Sequence, residues 1–363
     1  MSKVNATGGE DGSSGLFDSE GYWFFNTLIN ELAERKPLEE YSTEEIKDIT
    51  NKVLQQITPD IADGILVTLK KGMPAKLTER RLEKAAFEAH IQRVWGKSLD
   101  LLEILLELCL ETAILFHENM GADIAPEKKH LYQVLLRLHA RGCQVGAEVL
   151  TLLNSGFADG ALARWRTLYE ITVVAWFIRE NGDKVAERYI LHDTVESQRA
   201  VNAYQRCYKR LGYSQCSQEE IAEVETAFKE LCERFGPNFK EEYGWATEAL
   251  HKEKPRFVDI ENATDFGHWR AHYKLASHNV HAGPKGIVFK LGIPIKTPGK
   301  IQLLPGPSDA GFIDPTHCTA ISLYQLTCTL LAIGVSSNPT WGIIAKILGT
   351  LEQEIGQAFL DMD

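Results

Sequence analysis

The feature that most restricts how this chain can fold is an acid–base pair set inside an apolar helical stripe. Residues Ser155–Glu180 read SGFADGALARWRTLYEITVVAWFIRE, and their apolar positions recur at helical spacing. Arg166 and Glu170 are one turn apart on the same face. Helical projection sets Ala163, Val173, Val174 and Phe177 around them, and Arg164 and Arg179 on the far side. Removing charge from water without a partner is costly, so the pair must be matched to itself and to a second polar element. The expected second element is the polar stretch Arg270–His281.

The rest of the chain reads as helix. A first helix is expected over Tyr22–Arg35, and Ser42 with Glu45 forms a capping box that opens a second over Thr43–Ile57. A long leucine-rich stretch follows from Thr78 to His117, with a break near Gly96, and another helix over His130–Asn154. Ser155-Gly156 marks a turn before the central stripe. Asn181 or Asp183 caps a helix over Lys184–Leu211, and a second capping box, Ser217 with Glu220, opens Gln218–Phe235. Gly236-Pro237 ends that helix, and the polar helix is expected over Thr264–Ala282, stopped by Gly283-Pro284. Residues 284–312 are rich in proline and glycine, with β-compatible runs at Ile287–Leu291 and Lys300–Leu304 that suit a small loop or β-hairpin insertion. Two closing helices start at Asp314-Pro315 and Asn338-Pro339. The expected fold is mostly α, a multi-helix bundle. Its expected organisation is a flexible lead (1–20), an N-terminal helical region (21–125) and a main helical domain (126–363) that shares one core with 78–125.

Size and charge narrow the functional classes. The 363 residues suffice for a large core. With 39 basic against 50 acidic residues the net charge is −11, which disfavours a chain-wide basic surface for nucleic acid but leaves room for a local groove. Seven cysteines, an odd number without a CxxC pair, suit reduced thiols in a cytoplasmic protein. The first residues have neither the basic nor the apolar region of a signal peptide. Pro315–Ala345 carries no charge apart from His317, yet its Ser, Thr, Gln, Asn and Pro339 suit two core helices, so no membrane association is expected.

In the polar stretch, projection places Arg270, Lys274, Ser277 and His278 within about 60° of His281, with Tyr273 at the edge. Such a stripe offers a titratable acid/base, an anion clamp and a hydroxyl on one surface, or else simply a solvated face. His268 and His272 lie four residues apart and are weak metal candidates, because a usable site needs further ligands and no HExxH is present. Ser277 with His281 lacks the GxSxG elbow of a hydrolase nucleophile, and neither GxxxxGK[ST] nor GxGxxG occurs. No metal or other cofactor is therefore assigned.

Several of these segments together carry a likeness. The helix ALARWRTLYEITVVAWFI, the YGWA stretch at Tyr243–Ala246, YKLASHNVHAGPKG, and a Gly/Pro loop leading to DPTHCTAISLYQLT span approximately residues 95–335. The combination resembles bacterial proteins grouped as domain of unknown function 5677. That resemblance implies an all-helical fold and draws attention to Arg166, Glu170, Tyr273, Ser277 and His281 as the family's polar signature. A looser likeness is to the HEPN helical ribonucleases and abortive-infection proteins, which use an arginine followed four to six residues later by a histidine. Here Arg270 and His278 have seven residues between them, so that motif is not met.

These readings lead to three expectations. The first is a metal-independent helical enzyme acting on a phosphodiester or other anionic substrate, such as RNA or a nucleotide. His281 is then the general acid/base, Arg166 and Arg270 stabilise the anion, Glu170 orients Arg166 or His281, and Tyr273 and Ser277 position substrate. A setting in bacterial stress or phage defence follows by analogy alone. The second is a non-catalytic scaffold or interaction protein, which a homodimer would suit, with a buried Arg–Glu–Ser–His network. The third is a metal hydrolase built on His268 and His272. Whether His281 lines an open cleft beside Arg166 separates the first from the second.

Overall fold

The computed structural model describes residues 40–121, 124–293, 303–334 and 338–360, with positions 30, 32, 34 and 37 before them. The expected lead over 1–20, and nearly all of the Tyr22–Arg35 helix, lie outside the described residues. The chain divides into two compact units, residues up to Glu83 and Lys84–Asp363.

In the first unit, the Ser42 backbone N–H donates to Glu45 Oε2 at 2.9 Å and the Glu45 N–H donates to Ser42 Oγ at 3.2 Å. This reciprocal cap starts helix α1 where the sequence places it, Thr43–Met120. The helix does not stop at Ile57, and it passes through Pro59, Pro74 and Gly96. One glycine costs a helix only about 1 kcal/mol. Leu66, Val67, Met73, Leu77 and Leu82 of this unit are exposed.

The core of the second unit draws on Ile91, Leu99, Leu102, Leu105, Leu106, Cys109 and Phe116 of α1. Their three-and-four spacing makes one buried face. Helices α2 (Lys129–Asn154), α3 (Ala158–Asn181) and α11 (Ile313–Leu331) pack against one another. Glycine permits the closest approach: a Cβ at Gly142 of α2 would lie 2.2 Å from Leu326 Cδ2. The turn between α2 and α3 holds Gly156 at φ +81°, a left-handed conformation that favours glycine. Trp165 Nε1 on α3 reaches the Cys318 carbonyl of α11 at 2.9 Å. His139 on α2 is fully buried, with Nε2 2.9 Å from Thr327 Oγ1. The Thr327 hydroxyl donates to the Leu323 carbonyl, so Nε2 carries the imidazole hydrogen. Burial pulls the His139 pKa down to about 4.

Beyond α3 the expected Lys184–Leu211 helix is two, α4 (Asp183–Leu191) and α5 (Asp193–Leu211), with buried His192 at the join. His192 Nε2 donates to the Glu241 carbonyl at 2.9 Å. Asp183 reaches across to α2, accepting from Leu131 N and His130 Nδ1, both at 2.8 Å. Helix α6 (Gln218–Phe235) starts on the Ser217/Glu220 capping box and ends at Gly236. The aromatic connector after it folds into 3₁₀ turns and a short α7 (Thr247–Leu250). The buried Arg188 guanidinium holds it by donating to the carbonyls of Trp245 and Gly244 and to Thr247 Oγ1.

Helix α8 (Phe257–Asn262) leads to α9, Arg270–Ser277. The polar helix is thus shorter than the expected Thr264–Ala282; a hydrogen-bonded turn over His278–Val280 and a bend at His281 follow it. The β-compatible run at Ile287–Leu291 is corrected too. Pro284, pre-set for a first helical turn, opens α10 (Pro284–Val288) instead. The run from Lys300 begins outside the described residues. The amides of Leu291 and Gly292 donate to Asp159 at the start of α3, which pins this loop. In the last helix, α12 (Thr340–Leu360), Asn338 Oδ1 caps Thr340 N at 3.0 Å. The fold is mostly α, with no strand among the described residues. No helix among them is long and apolar enough to cross a membrane.

Two expectations follow. Gly142→Ala should cost about 1–3 kcal/mol by overpacking against Leu326, whereas Gly160→Ala, whose nearest neighbour would sit at 3.7 Å, should be neutral or mildly stabilising; paired denaturant melts check both. For His139, the folded pKa lies below that of the unfolded chain, so its contribution is full above the unfolded value and is lost as pH falls towards about 4. His139→Gln should flatten the stability–pH curve between about 6.5 and 4.

Candidate functional site

Two short helices converge on one face of α3. Arg166, Tyr169 and Glu170 are presented there at helical spacing, and α8 and α9 lie against them. Arg166 Nη2 lies 3.0 Å from Glu170 Oε1, the intrahelical pair expected from the sequence. Tyr273 of α9 completes it. Its hydroxyl accepts from Arg166 Nη2 at 2.6 Å and donates to Glu170 Oε1 at 2.6 Å. The Arg166 guanidinium also lies over the Tyr273 ring, 4.7 Å from its centre. Burial, and then the Glu170 carboxylate, push the Tyr273 phenol up to about 12.

A second network runs beside the first. Tyr169 Oη lies 2.7 Å from Glu261 Oε1 and 3.0 Å from the Phe266 carbonyl. The other carboxylate oxygen of Glu261 accepts from Arg270 Nη1 at 2.8 Å. The Glu261 side chain is 1% exposed, so its charge depends on these two donors. Burial, then Glu261, raise the Tyr169 pKa well above the ordinary phenol range. The networks meet where the Tyr169 and Tyr273 rings approach to 5.7 Å, and Phe257 stacks on Tyr273 at 5.2 Å. Tyr243 lies close enough that Glu170, after burial, raises its pKa.

Of the residues expected from the sequence, the structure brings together Arg166, Glu170, Tyr273 and, through Glu261, Arg270. It does not bring Ser277 or His281 into either network. The Ser277 hydroxyl bonds back to the Tyr273 carbonyl at 2.8 Å, within its own helix. His281 is exposed on a bend beyond the end of α9. The projection that aligned it with Arg270 assumed a helix to Ala282, and α9 ends at Ser277. His268 donates to the Asp265 carbonyl, and both it and His272 flank the Trp269 ring. No group of three or more His, Cys, Asp or Glu placed to hold a metal occurs among the described residues.

Tyr169 and Glu261 are absent from the sequence reading as site residues, and Tyr243 entered it only as part of the YGWA stretch. Glu261 carried a usable signal. With Phe257 and Ile260 it forms an i, i+3, i+4 face, the arrangement that singled out Glu170. A cavity of about 510 Å³ opens elsewhere, among Val134, Tyr189, His192, Glu242 and Trp245, and is not lined by Arg166, Glu170 or Tyr273.

Residues 132–293 match a family of unknown function, DUF5677. The matched segment is less than half of the chain. It holds both networks entire, and it is narrower than the 95–335 span suggested by the sequence pattern, leaving DPTHCTAISLYQLT outside. The looser likeness to HEPN ribonucleases finds no support in this match. No curated protein and no solved structure matches the chain.

Removing Glu261 with alanine leaves the Tyr169 hydroxyl with only the Phe266 carbonyl and the partly exposed Arg270 guanidinium without its carboxylate, and should cost about 1–3 kcal/mol in a denaturant melt. The Tyr273 pKa is raised on folding, so its contribution is complete below the unfolded phenol value near 10 and is lost as pH rises through about 12. Absorbance titration should show a group of late-ionising phenols, Tyr169, Tyr243 and Tyr273 among them, from which Tyr273→Phe removes one at about pH 12, along with the stability lost between about pH 10 and 12.

Proposed function

We propose that the segment matching DUF5677 is a helical interaction scaffold, in which the paired Arg–Glu–Tyr networks lock α8 and α9 onto α3. The observation that carries this reading is the position of the Tyr273 hydroxyl, 2.6 Å from both Arg166 Nη2 and Glu170 Oε1. One polar atom of each member of the pair, Arg166 Nη2 and Glu170 Oε1, is turned towards another side chain of the same protein. A guanidinium and a carboxylate used in this way specify which helices pack together. Glu261, satisfied by donors from α3 and α9, does the same for the neighbouring contact.

One observation favours a second reading. Arg166 Nε is a buried N–H without an acceptor, a group suited to an anion. In that reading Arg166 and Arg270 bind a phosphodiester or another anion, such as RNA or a nucleotide, and the exposed His281 supplies the acid/base.

A double-mutant cycle with Glu170→Gln and Tyr273→Phe, read by denaturant unfolding, should return a coupling of about 0.5–3 kcal/mol. His281→Ala should change stability by less than about 0.5 kcal/mol. If the wild-type chain cleaves RNA or a nucleotide and His281→Ala abolishes this at unchanged stability, the enzyme reading replaces the scaffold.

A further inference from the structure

Away from the networks, the second unit exposes an apolar seam between α1 and α12. One depression of about 460 Å³ is lined by Leu108, Leu115, Ile344 and Ile347, among others. A second, of about 440 Å³, lies between Leu101, Ile104 and Ala358. The α1 residues near 100 face the α12 residues near 357, and those near 115 face those near 345, so the two helices run antiparallel. From Lys97 to Glu118 the seam is about 30 Å long, the length of a 20-residue helix. Ile114 is 59% and Ile347 50% exposed. Branched aliphatic side chains repeated along one seam form a contiguous patch, unlike scattered surface leucines.

The charge along the seam identifies the partner. Asp100, Glu111, Glu118 and Glu354 line it, against one basic residue, Lys97. Two copies of this chain set seam to seam would oppose carboxylate to carboxylate, on a chain of net charge −11. A helix with an apolar face flanked by Lys or Arg meets both requirements, burying the aliphatics and neutralising the rim.

We propose that the α1–α12 seam docks a basic amphipathic helix of a partner protein as a third, packed helix. This rests on the scaffold reading and names the partner for it. The probe is a pair of fluorescein-labelled peptides of about 18 residues, five turns each, sharing one leucine face, flanked by lysine in one and by glutamate in the other. Anisotropy on the full chain should show binding of the lysine peptide, weakened at least about tenfold on going from low to high salt, and no binding of the glutamate peptide. Ile347→Glu, and separately the charge reversal Glu111→Lys, should each weaken the lysine peptide by about tenfold or more. Circular dichroism checks that both variants remain folded. Equal binding of the two peptides, binding indifferent to both substitutions, or no binding at all overturns the proposal. Light scattering that shows a dimer split by Ile347→Glu assigns the seam to a second copy instead. Failure here leaves the Glu170–Tyr273 coupling untouched, whereas RNA cleavage would overturn the scaffold reading whatever the peptides do.

Discussion

The tyrosine hydroxyl wedged between Arg166 and Glu170 is the contact on which the arrangement of the second unit's polar elements depends. A charged pair within a core-facing stripe tolerates only a neighbour that can both accept and donate. A phenol does both with one oxygen, and its ring supplies a flat face to the guanidinium. An aliphatic residue at position 273 would leave two partly buried charges with only each other and solvent. Two chain segments more than 100 residues apart are thereby held in one register.

The same logic recurs one step along α3, with the roles exchanged. There the tyrosine, Tyr169, sits on the central helix, and the acid and base, Glu261 and Arg270, come from α8 and α9. Each network alone would permit some rotation of α9 about its contact. The two together, joined through the Tyr169–Tyr273 ring contact, determine both its position and its direction. Behind this face, Trp165 ties α3 to α11, and Gly142 lets α2 close against both. The polar side of α3 is thus backed by a tightly packed apolar side.

Much of this was legible in the chain. Helical period revealed the bundle, the capping boxes at Ser42 and Ser217 placed two helix starts, and the charge pair on an apolar stripe marked the face where α9 would land. What was less legible has physical causes. A capping residue starts a helix but does not say where it stops, and α1 runs on through two prolines and Gly96. Conversely, residues after Ser277 keep a helical pattern but lack the helix itself, which removes His281 from the face it was projected onto. Tyr169 went unread because an aromatic on an apolar stripe looks like core, and it is core except for one oxygen.

The most direct measurement of the central claim is amide hydrogen exchange on the Glu170→Ala variant. If the carboxylate and the Tyr273 hydroxyl hold α9 in place, the amides of Arg270–Ser277 should exchange about tenfold faster or more, while those of α2 and α11 keep their protection. Unchanged protection of α9, or an equal loss throughout the unit, would contradict the claim.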